Sequence, residues 1–210
     1  MSATVTALPA PTIRRGRKFD QVLDGARRIF LRDGFEGASV DDIAREAGVS
    51  KATLYSYFPD KRLLFTEVAK AECSRQATEA AALIDDTAPV AEVLRVAGTR
   101  IVRFGQSEFG QRMFRMCVAE SDRFPALGQE FYHSGPLMVR QRLVGYLSKA
   151  VARGEIAVDD LDLAADQFAQ LCKADLHDRA IFGINDAKPR DVTRVVEGAV
   201  AMFMARYGRR

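Results

Sequence analysis

Residues 39–58, SVDDIAREAGVSKATLYSYF, leave the chain few choices of fold. They read as two short helices joined by a tight turn. Ser39 is placed to cap the first helix, with Asp42 three residues on able to return a bond. Val40, Ile43, Ala44 and Ala47 recur at helical spacing and form one apolar stripe. Gly48 stands where a left-handed residue ends a helix. Val49 is apolar inside the turn, and Ser50 can cap the second helix. Leu54 and Phe58 lie four apart and face inward together, and Pro59 stops the run.

The opposite side of the second helix carries Ala52, Thr53, Ser56 and Tyr57, flanked by Lys51 and Tyr55. A solvated helix needs none of this chemistry. A helix laid in a DNA major groove can use all of it: a cation, hydroxyl donors and acceptors, and one residue small enough for close approach. The competing reading is a plain helical hairpin with a polar outer face. The phase, the two caps and the tyrosines favour DNA.

The run IAREAGVSKATLYSYFPDKRLLF, residues 43–65, resembles the helix-turn-helix signature of TetR-type transcriptional regulators. The resemblance implies an all-α, homodimeric, ligand-responsive DNA-binding protein, usually a repressor. It implies that Lys51, Ala52, Thr53, Tyr55 and Ser56 lie nearest the base edges, and that Ser39, Tyr57 and Lys61 hold phosphates. Asp41 and Asp42 depart from a simple basic patch; the helix dipole can offset them.

The charge distribution agrees with a DNA-facing head. Residues 1–70 hold 12 Lys or Arg against 9 Asp or Glu, and residues 71–210 hold 19 of each. The whole net charge of +3 therefore lies with the helix-turn-helix. The excess is small and would not identify a DNA binder by itself. An apolar fraction of 48% suffices for a globular core. Cys73, Cys117 and Cys172 are far apart, with no C-x-x-C, and read as reduced, buried thiols of a cytoplasmic protein. No secretory signal is visible, and no apolar run approaches the roughly 20 residues of a membrane span, so no membrane is expected.

Three stretches are expected in order. Residues 1–18 form a disordered arm ending in a basic run that includes Arg14 and Arg15. This arm either follows phosphates or enters a minor groove, or it is a solvated tail. Residues 19–66 form a three-helix DNA-binding domain, with the motif at about 40–59. Residues 67–210 form a helical bundle for ligand binding and dimerisation, giving about nine or ten helices in total. Helices are expected over residues 19–32, 60–84, 90–106, 107–122, 126–133, 137–153, 160–182 and 189–207, with a break at Gly135-Pro136. Residues 123–183, including RFPALGQEFYHSGP, YLSKAVARGE and LCKADLHDRAIFG, resemble the C-terminal module of AefR-like regulators.

The middle helices are rich in Phe and Met, which suit an adaptable apolar cavity as well as an ordinary core. Candidate cavity residues are Phe104, Phe109, Met113, Met116, Cys117, Phe131, Met138 and Phe168. The ligand expected is a small hydrophobic or aromatic molecule. By the family resemblance two late helices supply the dimer interface, with Val139, Leu143, Tyr146, Leu147, Leu171, Cys172 and Ile181 as candidates, or as internal core. His133 and His177 match no metal-ligand spacing. The sequence has no G-x-S-x-G, phosphate-binding glycine loop or H-E-x-x-H, so no catalytic residue, metal or cofactor is expected. The expected partners are double-stranded operator DNA, a small hydrophobic ligand and a second copy of the chain. The alternatives are a ligand-binding helical protein without operator binding, or an activator of the same fold.

Overall fold

The computed structural model describes residues 16–81 and 87–209. Arg14, Arg15 and most of the expected arm lie outside these residues, as does the junction at residues 82–86.

Among the described residues every regular element is a helix. The order is α1 (Arg17–Gly37), α2 (Val40–Glu46), α3 (Lys51–Tyr57), α4 (Lys61–Ala81), α5 (Val90–Gln106), α6 (Glu108–Glu120), α7 (Pro125–Tyr132), α8 (Met138–Ala152), α9 (Leu161–Leu171), α10 (Leu176–Ile181) and α11 (Pro189–Tyr207). A π-helical turn, His133–Leu137, joins α7 to α8 without a break, so the two form one continuous helix. The chain divides into two compact units, Met1–Phe65 and Thr66–Arg210.

In the first unit α1 supplies a buried stripe of Phe19, Val22, Gly25, Ala26, Ile29 and Phe30. Gly34, with φ +74°, ends the regular helix and turns the chain so that Phe35 re-enters the core. Phe65 is fully buried edge-on to Phe30 and Phe35, with ring centroids 5.2 and 5.3 Å away. Burying each such ring contributes about 1.5–3 kcal/mol. At the other end of α1, Phe19 packs on Phe58 at 5.2 Å. Gly25 lies so close to Ala47 that a Cβ added there would stand 2.8 Å from the Ala47 Cβ.

The core of the second unit is built by α5, α8, α9 and α11 around Leu94, Leu147, Phe168 and Phe203. Phe168 and Phe203 meet edge-on at 5.8 Å. Polar groups secure the loops. Glu155 accepts from the Val90 amide at 3.0 Å at the start of α5, and the Tyr146 hydroxyl donates to the Ala88 carbonyl at 2.9 Å. An isolated antiparallel bridge pairs Ile156 with Gly208 and ties the end of α11 to the loop after α8.

Two expectations change. Gly135-Pro136 does not end a helix; the π turn widens the backbone around the missing proline N–H and the helix continues. The stretch 160–182 is not one helix. It stops at Leu171, Asp175 adopts φ +58°, and α10 starts only at Leu176. Aspartate is among the few non-glycine residues that tolerate this region.

Candidate nucleic-acid interface and ligand cavity

Local signals fix α2 and α3. The Asp42 amide donates to Ser39 Oγ at 3.0 Å, and the Ser39 hydroxyl donates to the Asp42 carboxylate at 2.6 Å. The return bond therefore reaches the hydroxyl rather than the Ser39 amide. Gly48 turns the chain at φ +65°. The Thr53 amide donates to Ser50 Oγ at 3.0 Å and starts α3. Leu54 and Phe58 are buried and anchor its inner side.

The outer side is then set. Lys51, Ala52, Tyr55 and Ser56 are exposed, Tyr55 to 44%, and Thr53 is half-buried beside the cap. The Ser56 hydroxyl donates to the Thr53 carbonyl at 2.6 Å, which leaves its lone pairs outward. Lys51 Nζ sits 2.8 Å from Asp41 of α2. That hydrogen bond, and the charge behind it, hold the Lys51 pKa above its usual value. Asp42 is likewise engaged, with Arg45 and Ser39. The two acidic residues thus sit in intramolecular pairs beside the exposed face of α3.

Tyr57 is half-buried, its ring edge-on to Phe19 at 5.8 Å. Lys61 donates to the carbonyls of Glu36 at 3.3 Å and Ala38 at 3.1 Å, and lies 4.7 Å over the Phe35 ring. Its ammonium therefore clasps the turn after α1. Arg28 pairs with Glu46 at 2.6 Å and Arg32 with Asp33 at 2.7 Å.

The second unit holds a cavity of about 620 Å³. Of the candidate residues, Phe104, Phe131 and Met138 line it. Phe109, Met113, Met116, Cys117 and Phe168 do not; all but the half-buried Met116 are fully buried, Phe168 against Phe203. Phe114 completes the aromatic wall, 6.3 Å from Phe131 and 5.2 Å from His177. Burial lowers the His177 pKa, and Lys173 adds to the effect.

Among the candidate interface residues, Leu143, Tyr146, Leu147 and Cys172 are packed inside this chain's own core. A side chain already covered in one chain has no surface to offer a second, so these four are core. Val139, Leu171 and Ile181 are half-buried. Large apolar side chains exposed near these candidates include Phe182 and Ile184, just after α10, and Leu163 of α9, at 51%, with Met202 of α11, at 60%. Leu163 and Met202 lie together and share a shallow groove with Leu171 and Tyr207.

Cys73, Cys117 and Cys172 are buried and free. Burial pushes the Cys73 thiol up to about 11 and the other two to about 12, so none is a ready nucleophile. Among the described residues no three His, Cys, Asp or Glu converge on a metal-sized space, and no helix is long and apolar enough to cross a membrane.

Periodicity alone did not disclose Gly25, the Lys51–Asp41 pair, or the cations around the cavity. A signal existed for two of them. Gly25 occupies a core-facing phase between Val22 and Ile29, and Arg100 interrupts the apolar stripe of Ala97, Ile101 and Phe104.

Comparison with known proteins bears on both units. Residues 22–68 match the model of the tetR family of bacterial regulatory proteins. Residues 92–209 match that of the AefR-like transcriptional repressor C-terminal domain. The solved structure of the flavonoid-responsive regulator FrrA is 34% identical, with a TM-score of 0.77, covering 93% of this chain and all of that one. A TetR-family transcriptional regulator from Mesorhizobium loti is 28% identical, with a TM-score of 0.84, over 92% of this chain and 98% of its own. The transcriptional repressor AcnR of Corynebacterium efficiens is 37% identical over 57 residues, and that of Corynebacterium glutamicum 35% over 74. These matches cover 27% and 35% of this chain and span only 30% and 37% of the two repressors' lengths.

Proposed function

This chain belongs to the TetR family of bacterial regulatory proteins, and on that premise we propose that it is a cytoplasmic transcriptional repressor. It binds a partly palindromic operator as a homodimer and is released by a small hydrophobic or aromatic ligand. The observation that carries this reading is the exposed face of α3, where Lys51, Ala52, Tyr55 and Ser56 project from a helix fixed at both ends by caps and a buried anchor.

In this reading α3 lies in the major groove. Lys51, Ala52, Thr53, Tyr55 and Ser56 read base edges; Ser39 and Tyr57 position the helix on phosphates. Lys61 assists by closing the turn after α1 and adding positive potential. A two-fold dimer carries its reading helices about 34–36 Å apart, or slightly further, into successive grooves. A second copy seated on α9 and α11 would cover Leu163 and Met202. The cavity supports ligand response. Its lining is mostly apolar, its size falls within the roughly 300–1,000 Å³ range of small-molecule sites, and one relative of this chain is described as flavonoid-responsive. A ligand that prefers one arrangement of the dimer shifts the population toward it.

A mobility-shift titration of the full chain against the DNA upstream of its own gene tests the reading. Saturable binding, lost in Lys51→Ala with Thr53→Ala and weakened by rising salt, is expected. A chain that binds ligands but no such DNA would be the ligand-binding protein without operator activity.

A further inference from the structure

We propose that the cavity of the second unit takes an organic anion, an aromatic or alkyl body bearing a carboxylate, with the negative group received by Arg100 and Lys173. The inference rests on the reading of this unit as a ligand-binding module and names the chemistry of its ligand.

The charge around the cavity is unbalanced. Five basic side chains reach it, Arg100, Arg140, Arg142, Lys149 and Lys173, against one carboxylate, Asp166. That carboxylate already accepts from Arg140 at 3.1 Å. Arg142 and Lys149 are exposed. Arg100 and Lys173 are different: both are half-buried, and neither side chain makes a hydrogen bond or ion pair with any described residue. Nature rarely buries a cation without a partner, because the lost hydration is not returned. The cost is visible at Lys173, where burial pulls the pKa down while Asp166 acts the other way.

A carboxylate reached by both side chains would relieve both cations. Arginine offers a planar pair of N–H donors that matches a carboxylate, and lysine adds a compact charge. His177, which burial and Lys173 bias toward its neutral form, can donate or accept beside them. The remaining wall suits the body of such a molecule, with Ile101, Phe104, Phe131 and Val139 apolar throughout. A neutral ligand of the same shape would leave the two cations unsatisfied.

Calorimetry on the full chain tests this with two acids and their alcohols: naphthoate against naphthylmethanol, and dodecanoate against dodecanol. At least one acid should bind about tenfold or more tighter than its alcohol, ~1.4 kcal/mol. Whichever acid does so distinguishes an aromatic from an alkyl ligand. Arg100→Gln and Lys173→Gln should abolish the preference, whereas Lys173→Arg should retain it. Both neutral variants should melt no lower than the parent, since each removes an unpaired cation.

Equal binding of acids and alcohols overturns the proposal. So does a preference that survives both neutral variants, or no acid binding below about 1 mM. Release of operator DNA is measured separately. Acids that bind without changing DNA affinity would remove ligand-controlled regulation and leave the anion site standing. Alcohols that release DNA while acids are silent would do the reverse.

Discussion

Gly25 and Ala47 bring α1 and α2 together with no side chain between them: a Cβ at position 25 would lie 2.8 Å from the Ala47 Cβ and 2.9 Å from its backbone. The approach has a purpose in the first unit. It lets α1 brace the end of α2 immediately before Gly48 turns the chain into α3.

Gly25→Ala should therefore destabilise the protein by about 1–3 kcal/mol through overpacking. Because the obstacle is backbone as well as methyl, repacking cannot remove it. Urea unfolding followed by circular dichroism measures the loss, and operator affinity should fall with it. A variant as stable as the parent would show that the helices can separate freely.

The pairing of Lys51 with Asp41 at 2.8 Å leads to a prediction about selectivity. Asp41→Asn removes a negative charge beside the proposed DNA-binding face and frees Lys51. Affinity for unrelated DNA should rise, and the salt slope should steepen by about one unit. Lys51→Ala should instead cost roughly tenfold on the true operator and relax base preference. Neither change should shift the melting temperature noticeably, because an exposed pair contributes little to folding. Fluorescence anisotropy at several salt concentrations checks both.

Tyr57 and Lys61 separate packing from contact. Tyr57→Phe keeps the ring on Phe19, so stability should hold while affinity falls equally for all sequences. Lys61→Met loses the clasp on the Glu36 and Ala38 carbonyls, so about 1.5–3 kcal/mol of stability should go with it. Parallel melting and binding curves distinguish the two. Loss of binding without loss of stability in Lys61→Met would return Lys61 to a purely phosphate-holding role.

His177 gives a pH dependence. Burial keeps its folded pKa below the unfolded value of 6.5. Between those two values the unfolded chain binds more protons, so stability falls as pH drops through this window and is fully present above 6.5. The melting temperature should be lower at about pH 5.5 than at about pH 7. His177→Phe, which keeps a ring against Phe114, should flatten that slope. An unchanged slope would assign it to carboxylates instead.

The first unit is legible because its signals are local. Ser39, Ser50, Gly48 and Pro59 punctuate within a few residues of what they control, and the inward pairs repeat at fixed spacing. The second unit is less so. Apolar periodicity tells that Leu143, Tyr146 and Leu147 face something; it does not tell that the partner is their own chain. Pro136 carries a strong stop signal, yet a π turn absorbs it. Asp175 carries a weak one, yet the chain turns there. The exposed stripe that pattern analysis passed over, Leu163 and Met202, is split between distant helices, and sequence spacing cannot bring them together.

Every residue that lines the cavity falls between Cys73 and Ile181, within Thr66–Arg210. For protein engineering this sets a splice rule. A chimera that is to inherit the cavity must take this chain from a point before Cys73 onward, so that the whole lining travels as one continuous piece.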